Sequence, residues 1–361
     1  MKTKIALFIF CICVLCACSG LGKTETEMLI VPVDVNQQAS ISIGDIAAHI
    51  QEIELELTDE SPIERPRKVL FGKDRIVVVD GFLRSTILAF DGSGKFLRTI
   101  GSVGQGPGEF SQLTDVTLDD KTGYFYLVAN NKLICYDPDG KLIRETRIHF
   151  HPNQIQYKND KLYVFRTVFG PASSGDGNSC STSMYTFTTD FQLTDSCFVR
   201  ETLMEMMMVM TPSSESITSD GNKLYLYFPE ELASAETFTK DTVYELRNNE
   251  LIPAVKLQFS DEGATYEGVK NKTIYGIHQS SRYLFAYYRL IPKGWYYFCY
   301  DKKEQKGYNL TNGFKEEKYQ FENIQLSPSN SDPNTFYYTK AKEVDEGEEP
   351  NPTLFIVKLK E

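Results

Sequence analysis

Short runs of alternating apolar and polar residues recur along most of this chain of 361 residues. Period-two alternation marks a strand with one buried face, and an unbroken apolar run of four to eight between turn residues fits a strand buried on both. Six such runs follow turn signals: FGKDRIVVVD (71–80), LDDKTGYFYLV (118–128), YKNDKLYVF (157–165), TSDGNKLYLY (218–227), QSSRYLFAYY (279–288) and LSPSNSDPNTFYYT (326–339). Their tips are rich in Asp, Asn, Gly and Lys, which suits hairpins. A second hairpin follows each. It is clearest in TILAFDGSGKFLRTI (86–100) and KLICYDPDGKLIRETRI (132–148), where a strand ends in aromatic-Asp before a turn and Gly-Lys. Asp91 and Asp137 stand 46 residues apart. That spacing is a propeller-blade period.

Weaker copies lie at 183–199, 242–259, 294–310 and 351–361. Each unit therefore reads as four antiparallel strands, A to D, and six units are present. The last copy stops after its first strand. Near the other end, EIELELT (Glu52 to Thr58) alternates Ile53, Leu55 and Leu57 with glutamates, the pattern of a half-buried strand. The expected fold is all-β: a six-bladed β-propeller of four-stranded antiparallel blades, its ring closed by that N-terminal strand. The expected organisation is a leader over 1–17, a tether over 18–40 and the propeller over 41–361.

The order IQEIELELTDESPI, then RIVVVDGFLRSTILAFDGSGKFLRTIGSVGQGPGEF, resembles six-bladed β-propeller lipoproteins of Gram-negative anaerobes, which are related to NHL-type repeats. The resemblance is strong over about 45–145 and thins to strand pattern beyond. It implies the same fold and transfers no catalytic residue.

Lys2, Lys4, a short apolar run and LCAC (15–18) make an export signal too short to span a membrane. LCAC resembles the lipobox of bacterial lipoproteins, which implies cleavage before Cys18 and lipid on its sulfur. In that family Asp after the cysteine favours inner-membrane retention. Ser19 stands there, which implies an exported lipoprotein anchored in the outer membrane. The net charge of −11 argues against nucleic acid, which needs basic patches. Of eight cysteines, four lie in the leader or at its end. Cys135 and Cys299 share one repeat position in opposite blades, out of disulfide reach. Cys180 and Cys197 flank one expected hairpin and are candidates for a bond.

In such a ring the D-A and B-C connections share one face, called upper here. The expected long B-C connections are 168–183, 229–241, 289–295 and 340–352, and function concentrates in loops on a rigid scaffold. Candidate binding residues on this face are Arg289, Trp295 and Tyr296, with His149 and His151. Trp295 is the only tryptophan, and exposed aromatics beside an arginine make binding anchors. The competing reading packs these aromatics between blades. His149 and His151 form HxH on an expected strand end, but a zinc site needs a third and usually a fourth ligand. The only other histidines are His49 and His278. Met204 to Met210 offers either an adaptable surface or core filling. The acidic loop with Glu343, Asp345, Glu346, Glu348 and Glu349 is a solvated run or a Ca²⁺ ligand source. GSVGQGPGEF (101–110) lacks the lysine and the following helix of a phosphate loop and reads as a tight crossing between blades.

No catalytic set stands out and no cofactor is expected. The sequence reads as a lipid-anchored envelope module holding a protein or glycan partner. The rival reading is a Ca²⁺-dependent hydrolase, lactonase-like, with Asp115, Asn153 and Asn323 as candidates near the channel.

Overall fold

The computed structural model describes residues 28–81, 85–205, 216–231, 234–342 and 349–361. Six sheets of antiparallel strands form the ring. Blade 1 is Pro66–Gly72, Arg75–Asp80, Thr86–Asp91 and Phe96–Thr99. Blade 2 is Leu113–Leu118, Phe125–Ala129, Lys132–Tyr136 and Leu142–Arg147. Blade 3 is Gln154–Lys158, Lys161–Pro171, Asn178–Thr188 and Leu193–Met204. Blade 4 is Ser216–Asp220, Lys223–Tyr227, Thr242–Arg247 and Glu250–Phe259. Blade 5 is Lys272–Gln279, Tyr283–Leu290, Gly294–Asp301 and Lys306–Thr311. Blade 6 is Ser327–Pro328, Thr335–Lys340, Thr353–Leu359 and, as its outer strand, Ala47–Glu54.

The apolar runs are unbroken because a blade buries both faces. In blade 1, Val77 and Val79 enter the cluster shared with blade 2, while Ile76 and Val78 enter the one shared with blade 6. Six buried clusters fill the six gaps between blades. Ala89, Cys135 and Cys299 all face the next blade, as one small repeat position should.

The N-terminal strand closes the ring as expected, pairing antiparallel with Thr353–Leu359. It lies earlier than EIELELT. Residues after Glu54 turn away to blade 1, where Glu56 N–H donates to Gly94 O (2.8 Å) and the Asn351 amide binds Glu56 O, Ser61 O and the Ile63 N–H. The polar stretch read as a tether also contributes to the fold. Leu29–Val33 pairs in parallel with the outer strand of blade 4, burying Val31 and Val33. The lipobox, Cys18 included, lies outside the described residues.

Two expected loops are strand instead. In blade 3, Val168 to Pro171 pairs with Asn178 to Ser181, leaving only 172–177 as a loop. In blade 5, Arg289 pairs with Trp295 and Leu290 with Gly294. The expected disulfide is absent for a reason of register. Cys180 faces Phe169 and Thr202, whereas Cys197 faces Met184. The two form no disulfide, being separated by four residues of register, or ~14 Å of strand.

Candidate functional site

The channel is lined by first strands, which have one edge without a sheet partner. Side chains stitch those edges to neighbouring blades. Tyr337 Oη and Asn330 Oδ1 accept from the Val69 and Phe71 amides across the join of blades 6 and 1. Lys68 Nζ reaches Asp115 Oδ1 (2.9 Å) in blade 2, and Asp115 Oδ2 accepts from the Ile155 N–H (3.0 Å) in blade 3. Tyr227 Oη donates to Ile274 O (3.0 Å) between blades 4 and 5.

Three first strands carry an extra residue near their upper ends: Arg67, Thr114 and Tyr275. A bulge re-aims a side chain and interrupts the ladder. Arg67 and Tyr275 are exposed there. The Arg67 guanidinium donates to Ser85 Oγ (3.1 Å).

Two cavities share Arg67, Lys68, Ser327 and Tyr337. The upper one, about 270 Å³, adds Asn323, Gln325, Thr339 and Lys340. The deeper one, about 310 Å³, adds Gln154, Gln156, Ser216, Thr218, His278 and Asn330. Among the described residues neither wall contains an aspartate or glutamate, although the chain has 49. His278 is half-buried, and desolvation pushes its imidazole down to about 4. Its Nδ1 finds no partner among the described residues.

Above blade 5 stands an aromatic shelf. Trp295 stacks on Tyr287 with centroids 5.1 Å apart and planes at 12°, and Tyr275 lies 4.9 Å from the indole. The Arg289 guanidinium sits 5.8 Å from the indole centroid. Tyr296 is the neighbour of Trp295 and points the other way. It is 4% exposed and stacks on Tyr288 between blades 4 and 5, so it belongs to the core. Two hydrogen bonds join shelf to cavity: Asn312 N–H donates to Trp295 O (3.2 Å), and the Gln325 side-chain Nε2 donates to Asn312 O (3.3 Å).

His149 and His151 sit in a bend between blades 2 and 3, on either side of buried Phe150. His149 meets the Phe150 ring edge-on, and His151 Nδ1 lies 3.3 Å from Asn130 O. Among the described residues, no hydrogen bond or ring contact ties them to the blade 5 shelf. Met204 is buried, while Met206–Met208 and Met210 lie outside the described residues, as do Glu343, Asp345, Glu346 and Glu348. The calcium candidates have separate duties. Asp115 holds Lys68 and two backbone amides, Asn153 accepts from the Thr167 N–H, and Asn323 lines the upper cavity.

GSVGQGPGEF is filled by its own protein's acids. Glu109 Oε2 accepts from the Gly106 N–H (2.8 Å), and Glu145 Oε2 accepts from the Gly108 N–H (2.7 Å). That second bond is the main reason the Glu145 carboxyl lies below its usual range. A Cβ at Gly104 would lie 2.0 Å from Glu109 Oε2. The glycines thus make room for carboxylates, in a loop where an anion would otherwise have sought N–H groups.

Apart from Asn323, the channel wall left no signal in the sequence. Several of its polar residues sit on short first strands, and Arg67 enters only because of a bulge that alternation does not reveal.

Strand order and ring closure define a six-bladed β-propeller. A family model for a domain of unknown function, DUF4934, matches residues 28–360, and the chain belongs to that family. A crystal structure of a Bacteroides fragilis protein classed as exported is similar at 18% identity and a TM-score of 0.66, covering 92% of this chain and all of that one. BamB from Moraxella catarrhalis is similar at 12% identity and a TM-score of 0.40, covering 72% of this chain and 66% of that one. The extracellular domain of a Bacteroides thetaiotaomicron one-component system gives 11% identity and a TM-score of 0.39, over 72% of this chain and 29% of that one. No curated protein matches the sequence. Among the described residues, no helix is long and apolar enough to cross a membrane.

Proposed function

We propose that this protein is a binding module of the cell envelope, lipid-anchored at Cys18, which holds a protein or glycan partner on its upper face. The observation that carries the reading is the shelf of Tyr275, Tyr287 and Trp295 with Arg289 at its edge. Flat, part-exposed aromatic faces stack on sugar rings or on another protein's aromatics, and a neighbouring guanidinium orients the guest. The rest of the fold supports that use: a closed ring of stitched blades is a rigid base for a display surface.

Trp295 is the only tryptophan, so the site carries its own reporter. Titration with envelope glycans and with solubilised envelope proteins should shift or quench its emission. Tyr275→Ser should weaken that response by about tenfold, the scale of an anchor worth 1–2 kcal/mol. An emission spectrum indifferent to every fraction, with binding detected elsewhere on the ring, would remove the shelf from the function.

A further inference from the structure

The channel mouth inverts the charge of the molecule around it. The chain as a whole carries −11, yet among the described residues the two cavities present Arg67, Lys68 and Lys340 and no carboxylate in their walls. One of these charges is answered: Lys68 is paired with Asp115, which lies behind it. Arg67 donates to a serine hydroxyl, and Lys340 Nζ donates to Glu322 O (3.2 Å) and lies 5.4 Å from the Phe321 ring centroid. Among the described residues, these two cations are thus held at the mouth by neutral acceptors. Below them the wall is amide and hydroxyl: Gln154, Gln156, Ser216, Thr218 and Asn330.

Cations at the entrance and neutral hydrogen-bonding groups behind it fit one class of guest. We propose that the mouth binds an anionic sugar residue, its acid group between Arg67 and Lys340 and its hydroxyls facing the amide and hydroxyl wall. This deepens the binding-module reading and rests on it, because the sugar would belong to the glycan lying on the Trp295 shelf. The deeper cavity alone, about 310 Å³, equals the volume of about ten waters, room for one sugar ring. A cationic entrance in an acidic protein also focuses the field on the approaching anion, since low-dielectric walls screen it little. A neutral sugar gains nothing from Arg67 and Lys340, so acidity is what the mouth selects.

The test is calorimetry on the full propeller with four disaccharide probes of similar size: neutral, uronic-acid-containing, sulfated and phosphorylated. At least one acidic probe should bind about tenfold or more tighter than the neutral one, as expected for charge-assisted bonds, and its affinity should fall as salt rises. Which acid wins identifies the source of the charge. Arg67→Gln with Lys340→Gln should erase the preference, and Arg67→Lys should restore part of it. A thermal melt of each variant confirms folding, and among the described residues both side chains reach only neutral acceptors, so stability should hold. Equal affinity for neutral and acidic probes would overturn the inference while leaving the module reading intact. Binding of none of the probes, with Trp295 emission also unmoved by the envelope glycans, would sink both.

Discussion

On the lower face, the C-D turns of blades 1 and 2 are close copies. Asp91 Oδ1 accepts from the Ser93 and Lys95 amides at 2.8 and 3.0 Å, and Asp137 Oδ1 accepts from those of Asp139 and Lys141, both at 2.9 Å. Gly94 and Gly140 then take φ of 90° and 76°. The upper face repeats nothing so closely. One crossing is a glycine loop plugged by Glu109 and Glu145, two others carry small hairpins, and the B-C loop of blade 4 is held by buried ion pairs. In that loop Glu236 meets Lys240 at 2.9 Å, and Glu230 meets Lys270. Desolvation raises the Glu230 carboxyl and lowers the Lys240 amine, so the pairs work against a burial cost. Local turn chemistry alone suffices below. Above, each connection answers to a different neighbour, and that is where cavities and exposed aromatics lie.

Opening the ring should have the largest effect. Deleting residues 47–54 removes the outer strand of blade 6 and uncovers the strand it pairs with. The cooperative thermal transition should vanish, and an unchanged melt would mean that closure does not hold the ring together.

The two copied turns are equal in form but unequal in place. A Cβ at Gly94 would lie 2.1 Å from Glu54 O on the closing strand, whereas at Gly140 the nearest atom is Ile100 Cδ1 at 3.2 Å. Both substitutions to alanine pay for positive φ, about 1 kcal/mol. Gly94→Ala should lose roughly 2 kcal/mol more in urea melts, because backbone must shift. Equal losses would show that the closing strand does not press on that turn.

His278 ties stability to pH. Among the described residues the walls of its cavity present Arg67 and Lys68 and no acid, and desolvation holds its imidazole at about 4, below the ordinary 6.5. The unfolded chain therefore takes up the proton first as pH falls. Stability from this group is complete above pH 6.5 and is lost between 6.5 and 4. With allowance for channel water, the loss is of order 1–3 kcal/mol. His278→Gln should flatten that limb of a stability–pH curve, and an unchanged slope would place the acid sensitivity elsewhere.

The smallest effect on stability belongs to the shelf. Tyr275→Ser and Arg289→Gln should move the melt by less than about 1 kcal/mol, as surface changes do, while weakening the Trp295 response to a bound glycan. A large loss of stability would make the shelf part of the core.

Much of this was legible from particular residues. Asp-x-x-Gly-Lys after an aromatic strand encodes a turn by its own side chains, and EIELELT advertised a strand in need of a partner. Trp295 and Tyr296 show where legibility ended. Both sit in one aromatic run, and pairing with Tyr288 and Arg289 decides which ring enters the core and which faces out. Register likewise separated Cys180 from Cys197 and turned two expected loops into hairpin extensions.

The sequence by itself determined the number of blades, the copied lower turns and the need for a closing strand, because these follow from alternation and turn chemistry within some fifteen residues. Tertiary structure alone decided the channel wall. Arg67, Gln154, Ser216, His278 and Asn330 come from five different blades. They share a cavity only because closure brings their first strands to one axis, and no local pattern in the chain records that convergence.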